Sequence, residues 1–130
     1  MANALYPAGK QQFLGAGINL SSDTIKAVLV DTGTYTYNSA HDFLNDVSGT
    51  VGTAVTLGSK TITNGVFDAA DITFTAVTGA SAEALILYKD TGVAGTSPLI
   101  AYIDTATGLP VTPNSGDINV TWDAAGIFAL

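Results

Sequence analysis

Apolar and polar positions divide this chain into short segments whose periods predict strands. Ile25, Ala27, Val28, Leu29 and Val30 form the first dense apolar run, which stops at Asp31-Thr32-Gly33. Ala54-Val55-Thr56-Leu57 and Thr61-Ile62-Thr63 read as two further strands. Asn64-Gly65 follows, a pair that tolerates positive φ at both positions and so predicts a tight hairpin with Val66-Phe67-Asp68 as the returning arm. Between Asp71 and Val77, Ile72, Phe74 and Ala76 fall on one face and Thr73 and Thr75 on the other, the period of a half-buried strand. Residues 82–88 and 98–103 are apolar at nearly every position, which predicts strands covered on both faces. That cover must come from a helix, the N-terminal arm or another subunit. Ile118, Val120 and Trp122 alternate again, and a turn at 123–126 leads into a last strand, 127–130.

Seven to eight short strands with turn residues between them predict an all-β fold, an antiparallel β-sandwich. Two segments carry helix-start chemistry. Near 7–14, Pro7 suits the first helical position. Over 39–47, Ser39-Ala40-His41-Asp42 fits a capping box, with Asp42 placed where a helix dipole favours negative charge. Phe43, Leu44 and Val47 would form its apolar face, and Gly49 would follow its end. The expected organisation is a single domain, 1–130, with an N-terminal arm over about 1–22.

Composition sharpens this picture. The 130 residues suffice for one domain with its own core. A hydrophobic fraction of 47% against 12% charged residues leaves few charges to solvate a surface, which suggests that a partner covers some apolar area. Net charge is −7, with four lysines (Lys10, Lys26, Lys60, Lys89) and no arginine. Nucleic-acid binding needs clustered cations, so this balance argues against it. The longest apolar runs fall far short of the ~20 residues that span a bilayer. The start MANALYPAGK lacks the basic and apolar regions of a signal peptide, so synthesis in the cytoplasm without secretion by that route is expected. With no cysteine, disulfides and thiolate-metal sites are excluded.

Candidate chemistry is sparse. Asp31-Thr32-Gly33 after an apolar strand matches the way an aspartic protease presents its carboxylate, and Asp90-Thr91-Gly92 supplies a second copy. Such enzymes need two aspartates sharing a proton. The competing reading is structural: Asp104-Thr105-Ala106 closes a third strand, and Asp and Thr at strand ends cap turn amides. His41 is the only histidine. Asp42 and Asp46 are near it, yet no G-x-S-x-G nucleophile signature occurs. One histidine without cysteine excludes the usual zinc sites, and Asp68 and Asp71 lack calcium-loop spacing. No cofactor or metal is expected. Tyr35 and Tyr37 form an aromatic loop that could contact a partner or a sugar, or pack on its own strand.

The blocks ALYPAGK, TIKAVLVDTGTYTYNSAHDFLNDV, KTITNGVFDAADITF, ALILYKDTG and LIAYIDTATGLPVTPNSGDINVTWDAAGIFAL together resemble a family of small structural proteins of tailed bacteriophages. The shared order is strand, D-T, tyrosine loop, A-H-D-F-L segment, N-G-V-F-D hairpin and a closing W-D-x-x-G-I-F-x-L, over nearly the whole chain. The loops after Thr53 and Gly95 are short beside longer members. The resemblance implies a non-enzymatic virion component: a head decoration (cement) protein bound to the major capsid protein, or alternatively a tail, fibre or baseplate part. It transfers no catalytic residue. By analogy it also implies a homotrimer, an expectation that the doubly apolar strands strengthen. Asn64, Gly65, Asp31, Ser39 and Asp42 are the residues expected to carry structural roles.

Overall fold

The two densest apolar runs lie side by side in the middle of the molecule. In the computed structural model, which describes residues 3–129, the elements are β1 (Ala4–Leu5), α1 (Pro7–Leu14), β2 (Ile25–Val30), β3 (Thr50–Thr56), β4 (Thr61–Thr63), β5 (Val66–Asp68) and β6 (Ile72–Phe74). After these come β7 (Ala84–Lys89), β8 (Leu99–Ile103), β9 (Ile118–Val120) and β10 (Phe128–Ala129). All pairings are antiparallel. A five-stranded sheet has the order β1-β8-β7-β2-β3, a three-stranded sheet β10-β5-β4, and β6 pairs with β9. This is the all-β, sandwich-like architecture that the alternation predicts.

The five-stranded sheet is buried on both sides. On one face Ile25, Ala27, Leu29, Leu85, Leu87 and Ile103 pack against Phe67, Phe74, Ile118 and Val120 from the smaller sheets. On the other, Val28, Val30, Ala84 and Ile86 lie under Tyr6, Tyr35 and the partly buried Tyr37, Leu44 and Val47. The second cover is irregular chain, the excursion 31–49 between β2 and β3, helped by Tyr6. The doubly apolar strands are therefore sealed within one chain, and they give no argument for a subunit contact.

That excursion corrects one expectation. Residues 39–47 form no α-helix; only a single 3-10 turn, Leu44–Asp46, is present. Phe43 is extended (φ −127°, ψ 162°) and bridges Pro98. The Leu44 amide donates to the Ser97 carbonyl, and the Leu99 amide to the Asp42 carbonyl, each at 2.9 Å. Backbone groups that a helix would use internally are spent on the strand entering β8, and Asn, Asp, Phe and Val offer little intrinsic helix preference to oppose this. The capping box fails with the helix. Asn38, not Ser39, accepts the Ala40 amide (2.8 Å), and Asp46 accepts the Asp42 amide (3.0 Å).

The predicted helix near 7–14 is α1, with Pro7 in its first turn. Gly9 is its buried residue, and a Cβ there would press into the Leu99 carbonyl and lie 3.2 Å from Ile100 Cα. The absence of a side chain lets the helix lie directly on β8. Strand β1, which periodicity does not predict, pairs Ala4 with Tyr102 and Leu5 with Ala101. Lysines fasten the loop into β2: Lys89 Nζ reaches the Gly17 carbonyl (2.8 Å) and Asp23 (3.2 Å), and Lys60 Nζ the Asp23 carbonyl.

The hairpin at Asn64-Gly65 has φ of 52° and 79°, the signature of a type I′ turn, with Ile62 opposite Phe67. The strand predicted over 71–77 shortens to β6 because Ala76 adopts φ 50°. That kink exposes Ala76 and turns Val77 inward instead. No helix among the described residues is long and apolar enough to cross a membrane.

Candidate functional site

The two Asp-Thr-Gly segments fold into the same turn. Asp31 Oδ1 accepts the Gly33 amide at 2.9 Å, and Asp90 Oδ1 accepts the Gly92 amide at 3.0 Å. Each carboxylate caps the turn two residues ahead of it, the role expected of aspartate at a strand end. Asp90 also meets Lys26 Nζ at 3.1 Å. The Gly92 amide first, and Lys26 second, hold its carboxyl below the usual carboxylate value. Thr32 donates to Glu83 Oε1 through both its amide (2.9 Å) and its hydroxyl (3.0 Å).

Topology separates the two aspartates. Strands β2 and β7 run antiparallel, with Ile25 opposite Lys89 and Val30 opposite Ala84. Asp31 therefore leaves one end of the sheet and Asp90 the other. A six-residue ladder at ~3.4 Å per residue keeps them about 20 Å apart. A proton-sharing pair needs contact distance, so the two aspartates of one chain cannot form a protease dyad.

A buried polar line lies instead on the aromatic face. The hydroxyls of Tyr6 and Tyr35 are 2.6 Å apart, and the Tyr35 hydroxyl is 2.8 Å from His41 Nδ1. Tyr6 is fully buried and Tyr35 is 2% exposed. One arrangement satisfies every proton in this line: Tyr6 donates to Tyr35, and Tyr35 donates to a neutral His41 carrying its hydrogen on Nε2. Burial, and then the Tyr35 hydroxyl, push the Tyr6 phenol far above its ordinary pKa. Burial is also the main cause raising Tyr35. The Tyr37 hydroxyl donates to the Leu5 carbonyl at 3.2 Å, and its ring lies 4.9 Å from that of Tyr6 and 5.7 Å from that of Tyr102.

This line favours the packing alternative for Tyr35 over a partner contact: its hydroxyl is held at both ends, and with 2% exposure it shows only a sliver of surface to the hollow beside Tyr37. Tyr37 keeps a half-exposed ring beside a shallow hollow of about 190 Å³ that Thr32, Thr36 and Tyr102 also bound. Ser39 is exposed and Asp42 contributes backbone pairing. Asn64 and Gly65 form the hairpin turn, far along the chain from the tyrosines. Tyr6 is the residue that sequence reasoning missed. Its signal was the following Pro7, which disfavours helical backbone at the preceding residue. Tyr6 is indeed extended (φ −73°, ψ 130°), continuing the line of β1 and donating its amide to the Ile100 carbonyl.

Among the described residues no three His, Asp or Glu side chains converge as a metal site. The geometry is that of a scaffold in which carboxylates close turns and tyrosines seal a sheet face. No family model matches the chain, and no curated protein matches it.

Proposed function

We propose that this protein is a non-enzymatic structural component of a tailed-bacteriophage particle. In this reading it is a head decoration protein, made in the host cytoplasm, that binds the major capsid protein on the outside of the shell and stabilises it. The observation that carries the reading is the ordered series of sequence blocks, over nearly the whole chain, resembling that family. The structure supports it through the roles of those blocks. The block 24–47 supplies the interior strand β2 and the cover of one sheet face, and the block holding Asn64-Gly65 supplies the hairpin of the second layer. Conspicuous polar side chains are engaged in holding the fold: Asp31 and Asp90 in turns, Tyr6, Tyr35 and His41 in one internal line.

Imaging purified particles with an antibody against this protein tests the proposal. Label distributed over the head is the expected result. Label confined to the tail would replace decoration with a tail, fibre or baseplate role, and absence from particles would overturn the virion reading. A peptide-cleavage assay at acid pH is expected to show no turnover. Turnover lost in Asp31→Asn would restore the protease alternative, with a second chain supplying the other aspartate.

A further inference from the structure

Two sheets end beside one another without joining. Strand β1 is an edge of the five-stranded sheet and β10 an edge of the three-stranded sheet. A hollow of about 230 Å³ lies between them, with Ala4 and Leu5 on one side and Phe128 and Ala129 on the other. It continues both ways. Past Asn3 and Ile127 it adjoins a hollow of about 190 Å³ that reaches Asp123. Past Leu5 and Ala129 it adjoins one of about 340 Å³ floored by Phe13 and Leu14 and bordered by Lys10. The three form one trough bordered by two edge strands, with an apolar floor and an opposite charge at each end.

The trough differs from the rest of the surface in two respects. Leu14 is 91% exposed, the most exposed large hydrophobic residue among those described. Lys26, Lys60 and Lys89 are all engaged by aspartates or carbonyls, whereas the Lys10 ammonium has no partner among the described residues. In a chain of net charge −7, an uncommitted cation beside an exposed leucine suits an acidic, apolar contact.

We propose that the trough is a self-association surface occupied by a second copy of this chain across a two-fold axis. Charge placement selects that occupant. Rotation about an axis near Leu5 and Ala129 exchanges the ends of the trough, so Lys10 of each copy meets Asp123 of the other, twice per dimer. An isologous contact requires such a self-complementary patch. A head-to-tail ring requires two separate surfaces, and here the exposed leucine and both charges lie along one trough. The arrangement therefore differs from the trimer implied by family analogy, and it stands independently of where the protein sits on a particle.

Sedimentation velocity of the purified full chain over a concentration series, with circular dichroism as a fold check, tests this. The wild type is expected to sediment as a dimer. Leu14→Glu, at an exposed position that leaves the fold intact, should weaken the dimer at least about tenfold, equivalent to ~1.4 kcal/mol. Lys10→Asp alone and Asp123→Lys alone should each weaken it, and the two together should restore it. A wild type that remains monomeric, forms a trimer, or forms a dimer indifferent to Leu14→Glu overturns the proposal. Failure of the paired reversal to rescue the singles overturns the two-fold pairing of Lys10 with Asp123.

Discussion

The two faces of the central sheet are sealed by different means. One is covered by other strands, and its contacts are mainly aliphatic and phenylalanine side chains that need no orientation beyond fit, Trp122 with its Nε1 on the Ala70 carbonyl being the exception. The other is covered by irregular chain, whose rings must also place their hydroxyls: Tyr6 on Tyr35, Tyr35 on His41 and Tyr37 on Leu5. An irregular cover cannot tile a sheet as a second sheet does, and beside Val28 and Tyr88 it leaves an open hollow of about 390 Å³. The first face is held by area removed from water, the second by a smaller area plus a line of directed bonds. Changes of volume should therefore damage the first most, and changes of single polar atoms the second.

The largest expected effect is on the aliphatic face. Phe74 is 1% exposed, and Phe74→Ala should cost ~3–5 kcal/mol. Leu44→Ala, in the half-buried cover of the other face, should cost much less. Urea denaturation of both variants checks the ranking; equal losses would remove the contrast between the faces.

Next in size is the middle of the hydroxyl line. Tyr35→Phe leaves the fully buried Tyr6 hydroxyl without its partner, at a cost of ~1–3 kcal/mol. Tyr6→Phe leaves Tyr35 still bonded to His41 and should cost about 1 kcal/mol. Adding Tyr6→Phe to Tyr35→Phe should recover part of the loss, because the orphaned group is then gone. Strict additivity in that double-mutant cycle would argue against a connected line. A comparable loss is expected in the second layer, where Gly65→Val forces a β-branched residue to φ 79° and should cost ~1–3 kcal/mol. An unchanged denaturation midpoint would sink that turn assignment.

Alkali should find the aromatic face alone. Burial raises the phenol pKa of Tyr6, Tyr35, Tyr88 and Tyr102 above the ordinary 10.0. The unfolded chain then loses protons that the folded chain retains. The associated stability is complete below pH 10 and is drawn down as pH rises from there toward the raised folded values. Each tyrosine held protonated contributes a slope of up to about 1.4 kcal/mol per pH unit. Stability measured from pH 9 to 11 should fall, and Tyr6→Phe should flatten the fall; an unaltered slope would place the titration elsewhere. The smallest effect belongs to Asp31→Asn, whose amide oxygen can still accept the Gly33 amide, with a change within ~0.5 kcal/mol. A loss well beyond that would mean the Asp31 charge itself holds the start of the excursion.

The same contrast explains what was legible in the sequence. Residues that form sheet-on-sheet core announce themselves by period: Ile72 and Phe74, or Ile118, Val120 and Trp122, alternate and are buried. The Asn64-Gly65 turn is equally plain because its chemistry is local. The segment 39–47 misled because its helix signals are local while its bonds go to residues 97–99, distant in sequence. Strand β1 has only two residues, too few to show a period. Asp31 and Asp90 were legible as turn caps, but their placement at opposite ends of the sheet depends on strand pairing, which a three-residue motif does not carry. The tyrosine line was half visible: Tyr35 and Tyr37 stood out as aromatic, while the burial of Tyr35 depends on Tyr6, which reaches it only through tertiary packing.

Strand order has a consequence for how the protein is made. Ile25 pairs with Lys89, Leu5 with Ala101 and Phe128 with Phe67. During synthesis β2 must therefore wait for β7 to leave the ribosome, and β1 must wait for β8. The second layer cannot gain its β10 edge until residues 128–129 are made, about sixty positions after β5. Until β7 is made β2 has only β3 beside it, and β1 has no neighbour until β8; such long-range pairing is slow to form and exposed to aggregation. The five-stranded sheet is thus expected to assemble late, once β7 and β8 are both available, with β1 the strand that has waited longest.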